Sequence, residues 1–183
     1  MQSPGRPDED RRDGFEHGGW ARPGSDEFVV AAMGPRMAAS AGLILGRRTY
    51  EEVLGYWNTQ PDSAYAGPLN AARKFVASRT LSEPLPWPNS SLLDGDAADA
   101  VAELKKQPGE DLHIMGSGEL LRSLTHRGLV DEYMLMIHPL VLGTGRRLFA
   151  DGSPATNLQL VETKTAPTGV VIATYQVVDD TPV

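Results

Sequence analysis

The chain has 183 residues, enough for one sizeable domain with its own core, and its 40% apolar and 22% charged residues are the balance of a soluble globular protein. Lys and Arg number 17 against 24 Asp and Glu, a net charge of −7 with no basic run, which argues against a nucleic-acid surface. The absence of cysteine excludes disulfides, thiolate nucleophiles and cysteine-based zinc sites; no apolar run reaches the roughly 18 residues of a membrane span; and the first 27 residues show no apolar signal stretch, so a cytoplasmic protein is expected.

Residues 1–24 are rich in Gly, Pro and charge, a composition that reads as a loop segment. Phe15 and Trp20 lie inside it, and aromatics are rare in free tails, so part of the segment is expected to pack on the body. Residues 25–40 read as a helix capped by Ser25, with Asp26 and Glu27 at its positive end and Gly34-Pro35 kinking it or splitting it in two. Residues 41–45 form a short apolar strand ending at Gly46. Residues 47–57 form a helix, with Tyr50, Val53, Leu54 and Trp57 on one stripe. A loop with a helical turn (58–70), a strand (74–78), a Pro-rich connection (82–89) and an edge strand (91–93) follow. A helix capped by Asp96 comes next (97–106). A strand (112–115) then runs into Gly116-Ser117-Gly118 and a helix that Gly128 terminates. Residues 131–137 are a strand whose apolar run implies burial on both faces. Residues 158–165 and 170–178 read as a terminal hairpin around Pro167-Thr168-Gly169. Alternating strands and helices closed by that hairpin describe an α/β fold in three layers, with a mostly parallel sheet. The domain division expected is a loop segment over 1–24 and a single domain over 25–183.

The four histidines, His17, His113, His126 and His138, form no metal-binding spacing. His138 ends an apolar strand, where open α/β sheets place ligands. Ser117 lacks the spacing of a nucleophile elbow, and no G-x-G-x-x-G is present. Two strand-to-helix turns do carry chemistry. In Gly46-Arg47-Arg48-Thr49 a strand delivers two guanidiniums to a helix N-terminus. Cations there oppose the helix dipole, so a bound phosphate explains them better than water does. In Gly116-Ser117-Gly118-Glu119-Leu120 two glycines leave room for a diphosphate against the backbone.

Four segments occur in order: Gly46-Arg47-Arg48-Thr49-Tyr50-Glu51, Phe75-Val76-Ala77-Ser78-Arg79-Thr80, Ile114-Met115-Gly116-Ser117-Gly118, and His138-Pro139-Leu140-Val141-Leu142-Gly143-Thr144-Gly145-Arg146-Arg147-Leu148-Phe149. The set resembles the dihydrofolate-reductase-like superfamily, and within it the bacterial proteins similar to the C-terminal reductase domain of the riboflavin-biosynthesis deaminase/reductase. The resemblance implies NADPH as cofactor. It implies that Gly46, Arg47, Arg48 and Thr49 meet the cofactor phosphates, and that Ser78 and Arg79 lie near the adenosine 2′-phosphate. Gly116, Ser117, Gly118, Glu119 and Leu120 would lie under the pyrophosphate and nicotinamide half. It places the Trp20 loop, the helix from Asp26, and Tyr50 or Trp57 on the substrate side; His138, at its strand end, is a further candidate ligand contact. Such proteins usually open with an apolar strand and a Ser-Leu-Asp-Gly-like turn in mid-sheet. This chain lacks them, and a start further upstream is expected.

The function expected is NADPH-dependent reduction of a small polar heterocycle, similar to 5-amino-6-(5-phosphoribosylamino)uracil reduction. The alternatives are a dihydrofolate-reductase-like activity and a non-catalytic nucleotide-binding module. Asp26 or Glu27 is the carboxylate offered as proton donor, no metal is expected, and the partners expected are a small-molecule substrate and a second copy in a homodimer.

Overall fold

Leu43, Ile44 and Leu45 are buried in succession, so the strand they form, β1 (Gly42–Gly46), has both faces covered. It is central to a four-stranded parallel sheet of order β3-β2-β1-β4, with β2 at Lys74–Ala77, β3 at Ser90–Leu92 and β4 at Leu112–Ile114. Among the described residues a second, antiparallel sheet has the order β5-β7-β6, with β5 at Glu132–Ile137, β6 at Leu158–Thr165 and β7 at Val171–Val177. The computed structural model of the chain describes residues 2–38, 40–57, 59, 66–109 and 111–178. Residues Met1–Met33 with Val130–Val183 form one compact unit and residues Gly34–Leu129 another. The α/β class with a parallel sheet and a terminal hairpin is as expected, the hairpin belonging to a sheet of its own.

In the unit of residues 34–129, α2 (Arg47–Trp57) has the bounds its apolar stripe predicts. Tyr50 and Leu54 enter a core with Leu43, Leu45, Leu69 and Val76, and Trp57 packs on its margin. The Pro-rich connection is tied down by polar groups. Glu83 Oε1 accepts from Leu92 N at 2.7 Å, and Tyr50 Oη accepts from Trp87 N at 3.1 Å. Asp96 caps α4 (Ala97–Lys105) through Oδ1, which accepts from Ala98 N and Asp99 N at 2.9 and 3.2 Å. In α5 (Gly118–His126), Leu120 and Leu124 face inward. Gly128, at φ +63°, follows the end of that helix.

The N-terminal segment in the other unit is packed, as its aromatics predict. Phe15 is buried, and so are Gln2 and Ser3. Gln2 Nε2 donates to Asp10 O and Arg12 O, its Oε1 accepts from Arg146 N, and its carbonyl accepts from Trp20 Nε1 at 2.8 Å. The Arg12 guanidinium beside Asp10 lowers that carboxyl to about 2. Three expectations need correction. The first helix, α1 (Glu27–Ala38), is one helix and not two, because Pro35 falls in its last turn and costs only one hydrogen bond there. Its N-terminus is satisfied by Asp26 rather than Ser25: Asp26 Oδ1 accepts from Val29 N at 2.9 Å, while Ser25 Oγ donates back to Ala21 O. And β5 is buried on both faces only in part. Its cover is partial: Tyr133 is 4% exposed on one face and Met134 and Met136 on the other reach the cluster of Val29, Ala166, Val170 and Ile172, but Ile137 stays half exposed.

Lys74 is the outlier in this packing, a lysine only 1% exposed in the middle of a sheet. Its Nζ donates to Ala72 O at 2.6 Å and Asn70 O at 3.3 Å, at the C-terminal end of α3 (Ala66–Ala71), where free carbonyls need donors. Burial pushes its pKa down from 10.5 to about 8. Between those values the folded chain has released a proton that the unfolded chain still holds, so stability rises with pH there, by at most about 1.4 kcal/mol per pH unit. Urea melts stepped from pH 8 to 10.5 should show this rise as the difference between wild type and Lys74→Met. Parallel pH curves for the two proteins would contradict it.

Candidate functional site

The parallel sheet ends flush on one side. Gly46 pairs with Ala77, and Ile44 with Ile114, so the turns that follow β1, β2 and β4 leave the same edge next to one another. The strand order reverses here: β2 and β3 lie on one side of β1 and β4 on the other. Open α/β sheets bind ligands outside the carboxyl ends of the strands at such a reversal, because the two neighbouring turns run in opposite directions and leave a crevice. Gly46, Arg47, Arg48, Thr49, Ser78, Arg79, Gly116, Ser117 and Gly118 all belong to these three turns.

The glycine turn is locked to β1. Ser117 Oγ accepts from Gly46 N at 2.8 Å and donates to Met115 O at 3.0 Å, and Ser117 N donates to Thr49 Oγ1 at 3.1 Å. The lock holds two successive residues in the left-handed region, Gly116 at φ +57° and Ser117 at φ +53°. A Cβ on Gly116 would also stand 3.2 Å from Thr49 Cγ2, whereas one on Gly118 would meet nothing within 4 Å. Ser117 precedes α5 without capping it through its side chain, so the first amides of that helix have no side-chain acceptor from their cap residue. Space in front of free amides is what a phosphate needs.

The charges sort differently from the expectation. Arg47 reaches Glu51 on the next turn at 3.2 Å, so an ion pair within α2 accounts for it without an anion. Arg48 and Arg79 are exposed and have no side-chain partner among the described residues. Ser78 Oγ accepts from Thr80 N and Leu81 N, shaping the turn that carries Arg79. Leu120 is buried, so only its backbone could face a ligand, and Glu119 pairs with Arg122 at 3.2 Å. Tyr50, expected on the substrate side, is 0% exposed with its hydroxyl engaged by Trp87 N, which makes it a core residue. Trp57 flanks the same core and meets Tyr56 edge to face.

Trp20, Asp26, Glu27 and His138 belong to the other unit. Trp20 meets the His138 ring edge to face, with centroids 5.1 Å apart. The imidazole lies against Gly24, where a Cβ would come within 2.7 Å of both His138 Nδ1 and Val170 Cγ2. Burial lowers the pKa of His138 below its ordinary 6.5, which favours a neutral ring. Asp26 spends one carboxylate oxygen on the α1 cap, and Glu27 is exposed. Sequence reasoning did not foresee the Gly24–His138 contact, which no local pattern signals.

Residues 15–172 match the RibD C-terminal domain. The chain belongs to that family. It is 39% identical over 108 residues to the uncharacterized protein YyaP of Bacillus subtilis strain 168, covering 58% of this chain and 56% of that one. It is 35% identical over 64 residues to the uncharacterized protein YwjB of the same organism, covering 35% of this chain and 37% of that one. These matches span about half or less of the length of the curated relatives. Among solved structures, a protein of Shewanella sp. PV-4 provisionally assigned to riboflavin biosynthesis superposes with a TM-score of 0.65. It has 25% identity, over 84% of this chain and 80% of that one. A pyrimidine reductase-like protein of Corynebacterium diphtheriae shares the fold, with a TM-score of 0.62 at 17% identity over 87% and 85%.

The two glycines of the locked turn separate on stability. Gly116→Ala should destabilise the protein by about 1–2 kcal/mol, the cost of forcing an L-residue into the left-handed region. Gly118→Ala should leave stability within about 0.5 kcal/mol of wild type, as for a substitution that meets no neighbour. Equal losses in thermal melts would mean that the turn is held by something other than the Gly116 backbone.

Proposed function

We propose that this RibD-like protein is an NADPH-dependent cytoplasmic reductase of a small polar heterocycle of the pyrimidine kind. The observation that carries the cofactor reading is the crevice at the strand-order reversal. There the α5 N-terminus, which its preceding residue does not cap by side chain, the open face of Gly118 and two guanidiniums without a side-chain partner among the described residues, Arg48 and Arg79, belong to three adjacent turns. In this reading the α5 amides and Gly118 hold the diphosphate, and Arg48 and Arg79 receive the 2′-phosphate, for which a guanidinium fork is suited. NADPH supplies the hydride; the protein orients it and the acceptor and excludes water. Trp20 and His138, which meet edge to face, are the side chains proposed to contact the substrate ring. Asp26 is the carboxylate proposed to move the proton, through the oxygen that the α1 cap leaves free, with Glu27 beside it.

A second reading, a nucleotide-binding module without catalysis, is favoured by that same cap. A carboxylate engaged by a backbone amide is first of all a structural group. NADPH oxidation with a pyrimidine acceptor separates the two readings, because binding without turnover would support the module.

The cofactor reading makes two measurements decisive. Arg48→Ala should weaken NADPH by about 1.5–3 kcal/mol, the range for a charge-assisted hydrogen bond, and NADH by less. Equal loss for both would remove Arg48 from phosphate recognition. Gly118→Val should melt close to wild type without ligand and lose the rise in melting temperature that NADPH gives. A rise equal to wild type would remove the glycine turn from the cofactor site.

A further inference from the structure

Between α4 and the β2–β3 side of the parallel sheet lies a groove of about 580 Å³, wholly within the unit of residues 34–129. That volume is in the range of small-molecule sites. Its floor is apolar: Phe75 on β2, Leu92 and Leu93 at the end of β3, and Ala100 and Leu104 on α4. The helix explains why the floor is open. Ala97, Ala100, Val101 and Leu104 lie at helical spacing, a stripe that a closely packed sheet would bury whole. Val101 is buried, with Ala98 beside it, but Ala97, Ala100 and Leu104 are only half-buried, as are Leu92 and Leu93 on the other wall. So α4 does not close over the β3 edge. Phe75 itself is fixed in place, since a Cβ on Gly42 would come within 2.7 Å of its ring and the Arg73 guanidinium lies 5.1 Å from the ring centre. The floor is therefore preformed, and a ligand would not have to order it.

The rim carries one sign of charge. Asp94, Asp99 and Glu103 border the groove, and among the described residues no lysine or arginine does. Local causes account for two of the three. Asp99 lies in the first turn of α4, where the helix dipole favours a carboxylate, and it pairs with Arg127. Glu103 lies in the last turn, where the dipole opposes it, and Lys106 answers it at 2.5 Å. Asp94 has neither cause. Asp96 caps the helix, and Asp94 has no side-chain partner among the described residues. An apolar cleft lined by charges of one sign focuses their field and raises the local concentration of the opposite ion.

We propose that this groove is a binding site for a small organic cation, an ammonium carried on an aryl or alkyl body. The body lies on Phe75, Leu92 and Leu104, and Asp94 meets the ammonium. A neutral molecule of the same shape would leave Asp94 unanswered, and an anion would face three carboxylates. The proposal is independent of the cofactor reading, since no residue of the groove belongs to the three turns proposed for the nucleotide.

An amide-resolved NMR titration of the isotope-labelled full chain tests it with three probes of one shape: phenylethylammonium, neutral phenylethanol and anionic phenylpropionate. Phenylethylammonium at millimolar concentration should shift amides of residues 91–94 and 99–107. Phenylethanol should bind the same residues about fivefold more weakly, the scale of an exposed ion pair, and phenylpropionate should not bind. Asp94→Asn should remove the preference for the ammonium while leaving phenylethanol unchanged. Ser91→Phe puts a ring into the groove from an exposed strand position that accepts aromatics, and should abolish binding of both. Amide spectra that match wild type away from the groove show that both variants are folded. No shift with phenylethylammonium, equal affinity for the alcohol, or shifts centred on residues 46–49, 78–80 or 116–118 would each overturn the proposal. So would a preference kept in Asp94→Asn or binding kept in Ser91→Phe.

Discussion

The hydrogen bond from Gly46 N to Ser117 Oγ is the constraint on which the turns at the carboxyl edge of the parallel sheet rest. It joins the end of β1 to the turn after β4, and the return bond from Ser117 N to Thr49 Oγ1 closes the link into α2. A serine in the left-handed region costs about 1–2 kcal/mol on its own. Three hydrogen bonds of Ser117, two made by its hydroxyl, offset that cost at about 1 kcal/mol each. Strain kept in place by its surroundings is characteristic of functional turns, because the alternative, relaxed turn would aim the helix amides elsewhere. The serine is thus spent on shape, and it is the amides beyond it that are offered outward. Glycine at position 46 is not demanded by this lock, since a Cβ there would sit at an ordinary 3.6 Å from Ser117; glycine at 116 is demanded by its φ.

The parts of the fold that sequence makes legible are those whose cause is local. The bounds of α2 follow from four apolar positions at helical spacing, and the start of α4 from an aspartate whose carboxylate needs only the next two or three amides. The end of α5 follows from a glycine just beyond it. The strand-to-helix turns are legible for the same reason, and the structure puts them at one edge of one sheet. Less legible is whatever depends on a neighbour distant in sequence. The apolar run of β5 implies two covered faces only if strands or helices lie on both. Tyr50 reads equally well as a substrate contact or a core residue until the backbone of Trp87 arrives at its hydroxyl. Ser25 and Asp26 are both good caps, and the choice is settled by Ser25 turning back to Ala21.

Arg47 and Arg48 show how much a single residue step decides. Both follow Gly46, and both carry a charge that the α2 dipole opposes. Arg47 lies one helical turn before Glu51 and is neutralised within its own helix, so it needs no ligand. Arg48 has Glu52 at the same spacing. Yet the Arg48 guanidinium stays exposed, with no side-chain partner among the described residues. The dipole argument therefore applies to Arg48 and not to Arg47, and against a net charge of −7 the two guanidiniums without a side-chain partner among the described residues, Arg48 and Arg79, are local positive sites.

The N-terminal segment carries the same lesson about composition. Its glycines and prolines resemble those of a free tail, but several of them are there because backbone meets backbone. A Cβ on Gly18 would run into the carbonyl group of Pro7, and Gly19 N donates to Ser3 O while Ala21 N donates to Pro4 O. Gln2 then gathers four hydrogen bonds at a nearly inaccessible side chain and carbonyl, one of them from the Arg146 amide. Phe15 lies beneath Gly145, where φ is +103° and a Cβ would come within 2.8 Å of its ring. The glycines of the 143–145 turn and those of the first twenty residues thus serve one purpose, which is to let two loops lie against each other closely enough to become a wall. Trp20, held through its indole N–H by Gln2, presents its ring to His138 from that wall. An imidazole backed by Gly24 and met by an aromatic edge has little freedom to turn, so its orientation is set by these two loops and not by its own rotamer preference.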